Sequence, residues 1–229
     1  MTRHCMTITP LGDSAVVISM GSGLDEASLC RLRAIASAIE CDPPPGVTDI
    51  VPAFATVTVF YDLAGTGGFA HFCAEIEKRL KMADATLASD VARTVEIPVC
   101  YGGEFGPDLG DVAESAGLEP GAVASLHSGG SYVVQAIGFA PGFGYLGGLA
   151  ERIHAPRRAT PRTLVAAGSV GIGGTLTAVY PFATPGGWNI IGRTPLKMFD
   201  PARAEPAIMR AGDLVRFRAI TEEEFAEWK

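Results

Sequence analysis

The 229-residue sequence predicts an α+β fold, in which a small mixed domain at residues 1–88 precedes a β-rich domain at residues 89–229. Strand-like and helix-like patterns alternate through the first 85 residues. From residue 131 onward, short apolar segments are separated by turn-forming residues, which is typical of a β-barrel or sandwich. Twelve of the 28 glycines lie between residues 138 and 192, where an ordinary helix or sheet interior would tolerate few of them.

The elements of the first domain follow from their hydrophobic periodicity. Residues 15–20 form an apolar run that suits a buried strand, and apolar residues then recur at helical spacing from residue 29 to residue 39. Three consecutive prolines at 43–45 end that helix. Residues 55–61 alternate with a period of two and predict a strand, and residues 69–80 have the strongest amphipathic helix pattern of the chain.

The second domain begins after a small, polar stretch at residues 83–92. A strand is predicted at 94–100, followed by two short helices at 108–116 and 120–127, the second with proline at its first position. The later strands are predicted at 132–139, 162–165, 169–172, 176–180, 189–192 and 214–220.

Composition excludes several classes of protein. A net charge of −7 with 18 basic residues argues against a nucleic-acid partner, since phosphate binding needs a concentrated basic face. The sequence has no apolar run of membrane-spanning length and no signal-peptide pattern, so we expect a cytoplasmic protein. Five dispersed cysteines without a C-x-x-C pair are expected to be reduced thiols, and four scattered histidines do not indicate a metal site.

The glycine-rich segment from residue 138 to residue 196 predicts a binding or catalytic surface on a β scaffold. Glycine lets the backbone approach a ligand closely, and side chains suited to recognition are interleaved with it. These aromatic and arginine residues are Phe139, Phe143, Tyr145, Arg157, Arg162, Tyr180, Trp188 and Arg193.

Two local motifs in the chain resemble nucleotide or nucleophile motifs without completing them, and a third motif is absent. Residues 142–147 match G-x-G-x-x-G, but Pro156 follows within ten residues and no acidic residue occurs at 161–170, so a dinucleotide site is not indicated. No lysine follows a glycine, so the phosphate-binding G-K-[ST] motif is absent, and any ATP is expected to bind another chain. Ser169 lacks the first glycine of the G-x-S-x-G elbow, which favours a turn serine.

Several side chains have two interpretations that the sequence leaves open. His127 closes a predicted helix, where it can stabilise the helix dipole or act as a general acid/base. Arg157, Arg158 and Arg162 lie in a P-R-R-x-x-P-R run and suit carboxylate or phosphate binding, or are solvated surface residues. Trp188 is either a core anchor or a ligand contact.

The same segment resembles a known protein family. G-F-x-P-G-F-x-Y-L-G-G-L, P-R-x-x-x-P-R, A-G-S-V-G-I-G-G and Y-P-x-x-x-P-G-G-W-N-x-I-G-R-T-P-L-x-x-F-D occur in this order within residues 138–200. An N-terminal L-G-D-x-A-x-x-I and a C-terminal R-A-G-D-x-V-R-F extend the similarity along the chain. The chain is thereby similar to the B subunit of prokaryotic 5-oxoprolinase, a family also called allophanate hydrolase subunit 1 and the sporulation-kinase inhibitor.

The resemblance implies a cyclophilin-like β-barrel as the second domain and a heteromeric enzyme. The implied partners are a homologous C subunit and a separate A subunit, and the reaction opens 5-oxo-L-proline to L-glutamate at the expense of ATP. A lactam amide is a poor electrophile, so activation of its oxygen by phosphorylation would explain the use of ATP. The resemblance also implies that this chain is inactive alone and that a partner binds most of the ATP.

The resemblance also directs attention to particular side chains. His127 becomes the catalytic candidate, and Arg157 or Arg162 would pair with the substrate carboxylate. The backbone N–H groups of the glycine loops would stabilise an oxyanion. The candidate substrate-binding residues are Tyr132, Phe143, Tyr145, Arg157, Arg162, Ser169, Tyr180, Trp188, Asn189 and Arg193.

The sequence departs from the family pattern at three positions. Leu176 and Ala178 stand where relatives commonly have glutamine and glycine, and Gly144 stands where proline is usual. Loss of the amide removes hydrogen-bonding groups, so the sequence leaves a different substrate open. It also leaves open inhibition of a sensor histidine kinase, and amide hydrolysis or carboxyl transfer on urea-derived substrates. A pocket with several polar groups favours the enzyme, whereas a broad exposed apolar patch favours the inhibitor.

Overall fold

A computed structural model of the chain describes residues 6–21, 26–86 and 93–228. The chain divides into two compact units, Met1–Val91 and Ala92–Lys229. The domain boundary predicted at residues 88 and 89 lies outside the described residues. Each unit has its own hydrophobic core.

The N-terminal unit is a four-stranded antiparallel sheet with two helices. Its elements are β1 (Thr7–Leu11), β2 (Ala15–Ser19), α1 (Glu26–Cys41), β3 (Val47–Ala53), β4 (Thr56–Tyr61) and α2 (Phe69–Thr86). The strands lie in the order β1-β2-β4-β3, and their apolar side chains pack against the helices. Both predicted helices and both predicted strands of this unit are confirmed, whereas β1 and β3 were not predicted.

The C-terminal unit is a closed seven-stranded barrel with additional short elements. The elements are β5 (Thr94–Tyr101), α3 (Leu109–Ala116), α4 (Pro120–Ser128), β6 (Tyr132–Ile137), β7 (Gly144–Gly147), β8 (Arg162–Val165), β9 (Ser169–Gly173), β10 (Leu176–Val179), β11 (Thr184–Gly186), β12 (Asn189–Arg193), β13 (Leu214–Ile220) and α5 (Glu222–Glu227). The barrel strands follow the order β6-β13-β5-β12-β9-β10-β7, and β7 pairs with β6 to close the cylinder. All of these pairs are antiparallel except the parallel pair of β5 and β13.

The barrel unit contains two separate hydrophobic clusters. The larger, which we call the barrel core, includes Val99, Val134, Ile172 and Phe217 from the strands and extends to α3 and α4. The smaller, which we call the aromatic cluster, consists of Phe143, Val165, Ala178, Tyr180, Trp188 and Ile190. This arrangement confirms the predicted α+β class, and the closed order of strands decides between a barrel and a sandwich in favour of the barrel.

Several local expectations were incomplete. Residues 144–147 of the G-x-G-x-x-G segment form strand β7 of the barrel, and β7, β11 and α5 were not predicted. Cys41, Cys73 and Cys100 are free thiols. Within the described parts of the chain, no helix is long and apolar enough to span a membrane, and no three acidic, cysteine or histidine side chains converge as metal ligands.

Candidate functional site

A pocket of about 190 Å³ opens beside the aromatic cluster in the barrel unit. This volume lies below the range of roughly 300–1,000 Å³ that is typical of drug-sized ligands, so the pocket suits a small molecule. Its lining combines aromatic rings with two arginines and a glycine turn. The lining residues are Phe139, Phe143, Tyr145, Arg157, Arg158, Pro161, Tyr180, Gly186, Gly187 and Trp188.

Phe143 is the centre of the aromatic wall of the pocket. Its ring makes edge-to-face contacts with Phe139 and Tyr145, at centroid distances of 5.1 and 5.0 Å. It contacts Tyr180 and Trp188 in the same manner, at 5.3 and 5.7 Å. Such contacts fix ring orientation and contribute about 0.5–1.5 kcal/mol each beyond burial. The wall is therefore largely preformed.

Phe139 differs from the other rings because it is exposed and strained. Its side chain is 59% exposed, and its backbone has φ of 68°, in the left-handed region that favours glycine. It lies in a tight loop in which Phe143 N–H donates to the carbonyl of Ala140 and Gly138 N–H to the carbonyl of Phe143. Strained residues of this kind cluster at ligand-binding sites. Phe139 thus places an exposed apolar ring at the pocket.

The indole ring of Trp188 can lie against strand β9 because the strand has a glycine, Gly173, where the ring makes contact. A Cβ atom built at Gly173 would lie 2.6 Å from two atoms of the indole ring. Real Cβ atoms do not approach so closely, so the ring would have to move. Gly173, the third glycine of the A-G-S-V-G-I-G-G motif, is therefore explained by the space that it leaves for the Trp188 ring.

The Gly173→Ala variant is expected to displace Trp188 and lower the free energy of unfolding by about 1–3 kcal/mol, because an added methyl group overpacks the site. Urea unfolding followed by circular dichroism measures this change. Gly110→Ala is the matched control, since no atom lies within 4 Å of a Cβ at Gly110 in α3. The control should be unchanged or stabilised by up to about 1 kcal/mol. Equal changes in the free energy of unfolding of both variants would contradict the role of Gly173 in leaving space for Trp188.

Arg157 carries the uncommitted positive charge of the pocket. Its guanidinium carbon lies 5.7 Å from the ring centroid of Trp188, within the range of a cation–π contact. The residue is exposed, and within residues 6–21, 26–86 and 93–228 no carboxylate forms an ion pair with it. A guanidinium held over an indole face and otherwise unpaired is well suited to bind a carboxylate.

Arg158 and Arg162 are bound instead by the buried carboxylate of Asp108. Arg162 forms a bidentate pair, with its Nη1 donating to Oδ2 at 2.7 Å and its Nη2 to Oδ1 at 2.6 Å. Arg158 Nη1 also donates to Oδ1, at 2.7 Å. The hydrogen bonds that Arg162 donates to the Asp108 carboxylate raise the pKa of Arg162. The structure thus assigns Arg162 an internal partner and leaves it outside the pocket lining.

The segment that carries these arginines is anchored by backbone contacts. Ala155 bridges to Gly174 in both directions, and Arg158 N–H donates to the carbonyl of Gly187 at 2.7 Å. Asn189 Nδ2 donates to the carbonyls of Pro156 at 2.8 Å and Ile172 at 3.2 Å. The amide of Asn189 is therefore committed to holding this segment against β9, and Arg157 projects from a fixed backbone.

His127 lies in the barrel interior, away from the pocket. It is completely buried, and its ring stacks at 4.5 Å from Phe217. Nδ1 is 2.7 Å from Tyr101 Oη and Nε2 is 2.9 Å from Thr177 Oγ1. Because the Thr177 hydroxyl donates to the carbonyl of Gly171, it accepts from Nε2–H, and Nδ1 accepts from the Tyr101 hydroxyl. Burial lowers the pKa of His127 to about 3, so the imidazole is neutral near pH 7.

The remaining predicted contacts do not line the pocket. Tyr132 is buried and donates its hydroxyl to the carbonyl of His127 at 2.7 Å. Ser169 is buried, and its backbone pairs with that of Tyr180. Arg193 Nε donates to the carbonyl of Ala167 at 3.2 Å. The structure therefore brings Phe143, Tyr145, Arg157, Tyr180 and Trp188 together at the pocket, and places Tyr132, Arg162, Ser169, Asn189 and Arg193 outside its lining.

Two of the three positions that depart from the family pattern lie behind the pocket wall, and the third, Gly144, is the first residue of strand β7. Ala178 is a buried member of the aromatic cluster, and Leu176 packs against that cluster from β10. Neither side chain lines the pocket. The substitutions therefore place additional apolar surface behind the rings.

Asp108 is the functional candidate that the sequence analysis missed. Its position at the start of α3 is typical of a helix cap, but its side chain makes no capping hydrogen bond. The available clue was the P-R-R-x-x-P-R run, which concentrates three cations and requires an acidic partner if any of them is buried. Asp108 lies 50 residues from Arg158 and 54 residues from Arg162 along the chain, so the sequence did not show which acidic residue is the partner.

Comparison with known proteins reveals similarity along nearly the whole chain. Residues 6–209 match the family model described as carboxyltransferase domain, subdomain C and D. The chain is 45% identical to the B subunit of 5-oxoprolinase from Bacillus subtilis, covering 97% of this chain and 96% of that protein. It is 46% identical to the B subunit of 5-oxoprolinase from Escherichia coli O157:H7, covering 90% of this chain and 93% of that protein.

A solved structure has the same fold. The crystal structure of the protein designated TTHA0988 superposes with a TM-score of 0.78 at 36% identity, covering 90% of this chain. This chain spans only 40% of the length of that protein. The match therefore corresponds to one part of a longer polypeptide.

Proposed function

We propose, because this chain belongs to the family of 5-oxoprolinase B subunits with carboxyltransferase C and D subdomains, that it is one component of a heteromeric 5-oxoprolinase. In this proposal the complete enzyme hydrolyses 5-oxo-L-proline to L-glutamate with ATP. The partners are the homologous C subunit and the separate A subunit, and this chain is inactive alone.

The observation that carries the proposal is the pairing of Arg157 with the aromatic wall. A cyclic amide that bears one carboxylate needs an apolar surface for its ring and one cation for its charge. Trp188 and Phe143 offer the surface, and the guanidinium over the indole offers the cation. An arginine binds a carboxylate through two parallel hydrogen bonds, which fixes orientation as well as charge.

The pocket carries positive charge although the chain as a whole is acidic, and it therefore favours an anionic ligand. The net charge of the protein is −7, yet two arginines line the pocket. The pocket is therefore expected to prefer monoanionic over cationic small molecules.

ATP is assigned to a partner subunit in this proposal. Residues Gly144–Gly147 form strand β7, so the glycine motif does not present backbone N–H groups at the start of a helix. A pocket of about 190 Å³ with aromatic walls also does not suit a triphosphate and its base together. When bound elsewhere in the assembly, ATP would activate the amide, and this chain would hold the ring and carboxylate.

His127 receives a structural role in this proposal rather than that of a proton donor. A general acid/base must reach the substrate within hydrogen-bond distance, directly or through one water molecule. Both ring nitrogens of His127 are instead committed to Tyr101 and Thr177 in the barrel interior. In this proposal, groups other than His127 therefore carry out the proton transfers of the reaction.

Reconstitution tests the proposed function. Release of glutamate from 5-oxoproline is measured for this chain alone, for its A and C partners together, and for all three, each with and without ATP. We expect activity only in the complete mixture with ATP. Full activity without this chain, or no activity in a mixture of folded subunits, would contradict the proposal.

A further inference from the structure

The carboxylate of Asp108 is buried among arginines rather than used to cap the helix that follows it. Its side chain is 3% exposed, and it accepts hydrogen bonds from Arg158 and Arg162. We propose that Asp108 is a positioning residue for the pocket: by holding Arg158 and Arg162, it leaves Arg157 as the arginine that binds the ligand carboxylate. The ligand part of this inference rests on the proposed function.

The backbone holds Asp108 in a fixed place beside the pocket. Asp108 N–H donates to the carbonyl of Ile190 at 2.9 Å, and Ile190 N–H donates to Asp108 Oδ2 at 2.7 Å. The approach of this segment to β12 requires glycine at position 106, where a Cβ atom would lie 2.1 Å from the carbonyl oxygen of Ile191. Main chain and side chain of Asp108 are thus both tied to the strand that follows Trp188.

The three neighbouring arginines have two different roles: Asp108 holds two of them, and the third contacts Trp188. Arg162 meets the carboxylate through two parallel hydrogen bonds and Arg158 through one, so their guanidinium groups have fixed orientations. Arg157 lies on the same anchored segment but contacts Trp188 instead. Without the carboxylate, all three guanidinium groups would compete for one anion, and the backbone that follows Arg157 would lose the side-chain anchors at Arg158 and Arg162.

Chemical labelling of the isolated chain tests the arrangement without any ligand. Phenylglyoxal modifies accessible, unpaired guanidinium groups, and peptide mass spectrometry measures the rate at each arginine. In the wild type we expect Arg157 to react faster than Arg162. In Asp108→Asn the rate at Arg162 should rise by about tenfold, since the bidentate charged pair is lost. Asp111→Asn, which removes an exposed carboxylate 3.8 Å from Arg158, is the matched control and should change the rate at Arg162 much less than Asp108→Asn does, because Asp111 acts on Arg162 only through its charge.

Kinetics of the reconstituted enzyme test the role in ligand binding. Asp108→Asn is expected to raise the KM for 5-oxoproline by about tenfold while kcat changes much less, since the lost interaction positions the ligand in ground and transition states alike. Arg162→Gln should have a similar effect, and the double variant should be no worse than either single one, because both disrupt one pair. Thermal unfolding of each variant identifies any loss of fold.

The outcomes separate this inference from the proposed function. Arg162 reacting as fast as Arg157 in the wild type would overturn the inference, whether or not any variant folds. A lowered melting temperature with unchanged KM would also overturn it, because Asp108 would then be purely structural. An inactive wild-type mixture would contradict the proposed function alone, and the labelling rates would still decide the assignment of the arginines.

Discussion

In the reconstituted enzyme, Arg157→Gln is expected to raise the KM for 5-oxoproline roughly 10- to 100-fold with little change in kcat. A hydrogen bond to a charged group contributes about 1.5–3 kcal/mol, which corresponds to this range of affinity. The effect should fall on KM because the carboxylate takes no part in opening the ring and is held equally before and during reaction. Initial rates over a range of 5-oxoproline concentrations measure both constants.

Two further variants sharpen the Arg157 experiment. Arg157→Lys keeps the charge but loses the planar pair of donors, so its KM should lie between those of the wild type and Arg157→Gln. Arg152→Gln removes an exposed arginine outside the pocket lining and should leave KM unchanged. If Arg157→Gln behaves like Arg152→Gln, the carboxylate is bound elsewhere in the assembly.

A second large effect is expected in the pH dependence of stability. Burial lowers the pKa of His127 to about 3 in the folded protein, whereas an unfolded histidine has a pKa near 6.5. Between these values the unfolded state binds a proton that the folded state excludes. The free energy of unfolding should therefore fall as the pH falls below about 6.5, by up to roughly 1.4 kcal/mol per pH unit from this group, and should not depend on it above that pH.

The His127→Gln variant isolates this contribution. It should be less stable than the wild type at pH 8, by roughly 1–3 kcal/mol, because buried packing and a hydrogen bond are lost. The difference should shrink by roughly 2–3 kcal/mol at pH 4.5, because only the wild type bears the cost of a neutral buried imidazole. Urea unfolding at the two pH values measures the difference.

Thr177→Val is the matched control for that experiment. It removes the hydroxyl that accepts from His127 Nε2 but leaves the imidazole buried. It should be destabilised at pH 8 and keep the pH dependence of the wild type. Parallel pH dependences for the wild type and His127→Gln would show that another group titrates between the two pH values.

The sequence predicted the elements whose own residues carry a strong pattern. Helix α2 and strand β4 have periodic apolar residues, and both occur as expected. Strand β3 contains Asp49 and Pro52, and β11 is only Thr184–Gly186, so neither has a strand pattern of its own. Such segments become strands because neighbouring strands pair with them, which is a property of the tertiary structure.

The candidate site was predictable to the extent that its residues are close in sequence. The glycines, rings and arginines between residues 138 and 193 include most of the pocket lining, and Trp188 proves to serve both as a core anchor and as a pocket wall. Asp108 and Thr177 find their partners 50 or more residues away. The burial of His127 likewise depends on Phe217 and Tyr132 packing around it, which the end of a helix does not reveal.

The separation of the aromatic cluster from the barrel core has an evolutionary consequence. Side chains that shape the pocket belong to one cluster, whereas those that hold the cylinder together belong to the other. A substitution at Ala178, or at Leu176, which packs against the first cluster, changes the residues behind the pocket and replaces no member of the barrel core. A lineage can therefore drift toward a new small-molecule specificity while the scaffold remains under unchanged selection for folding.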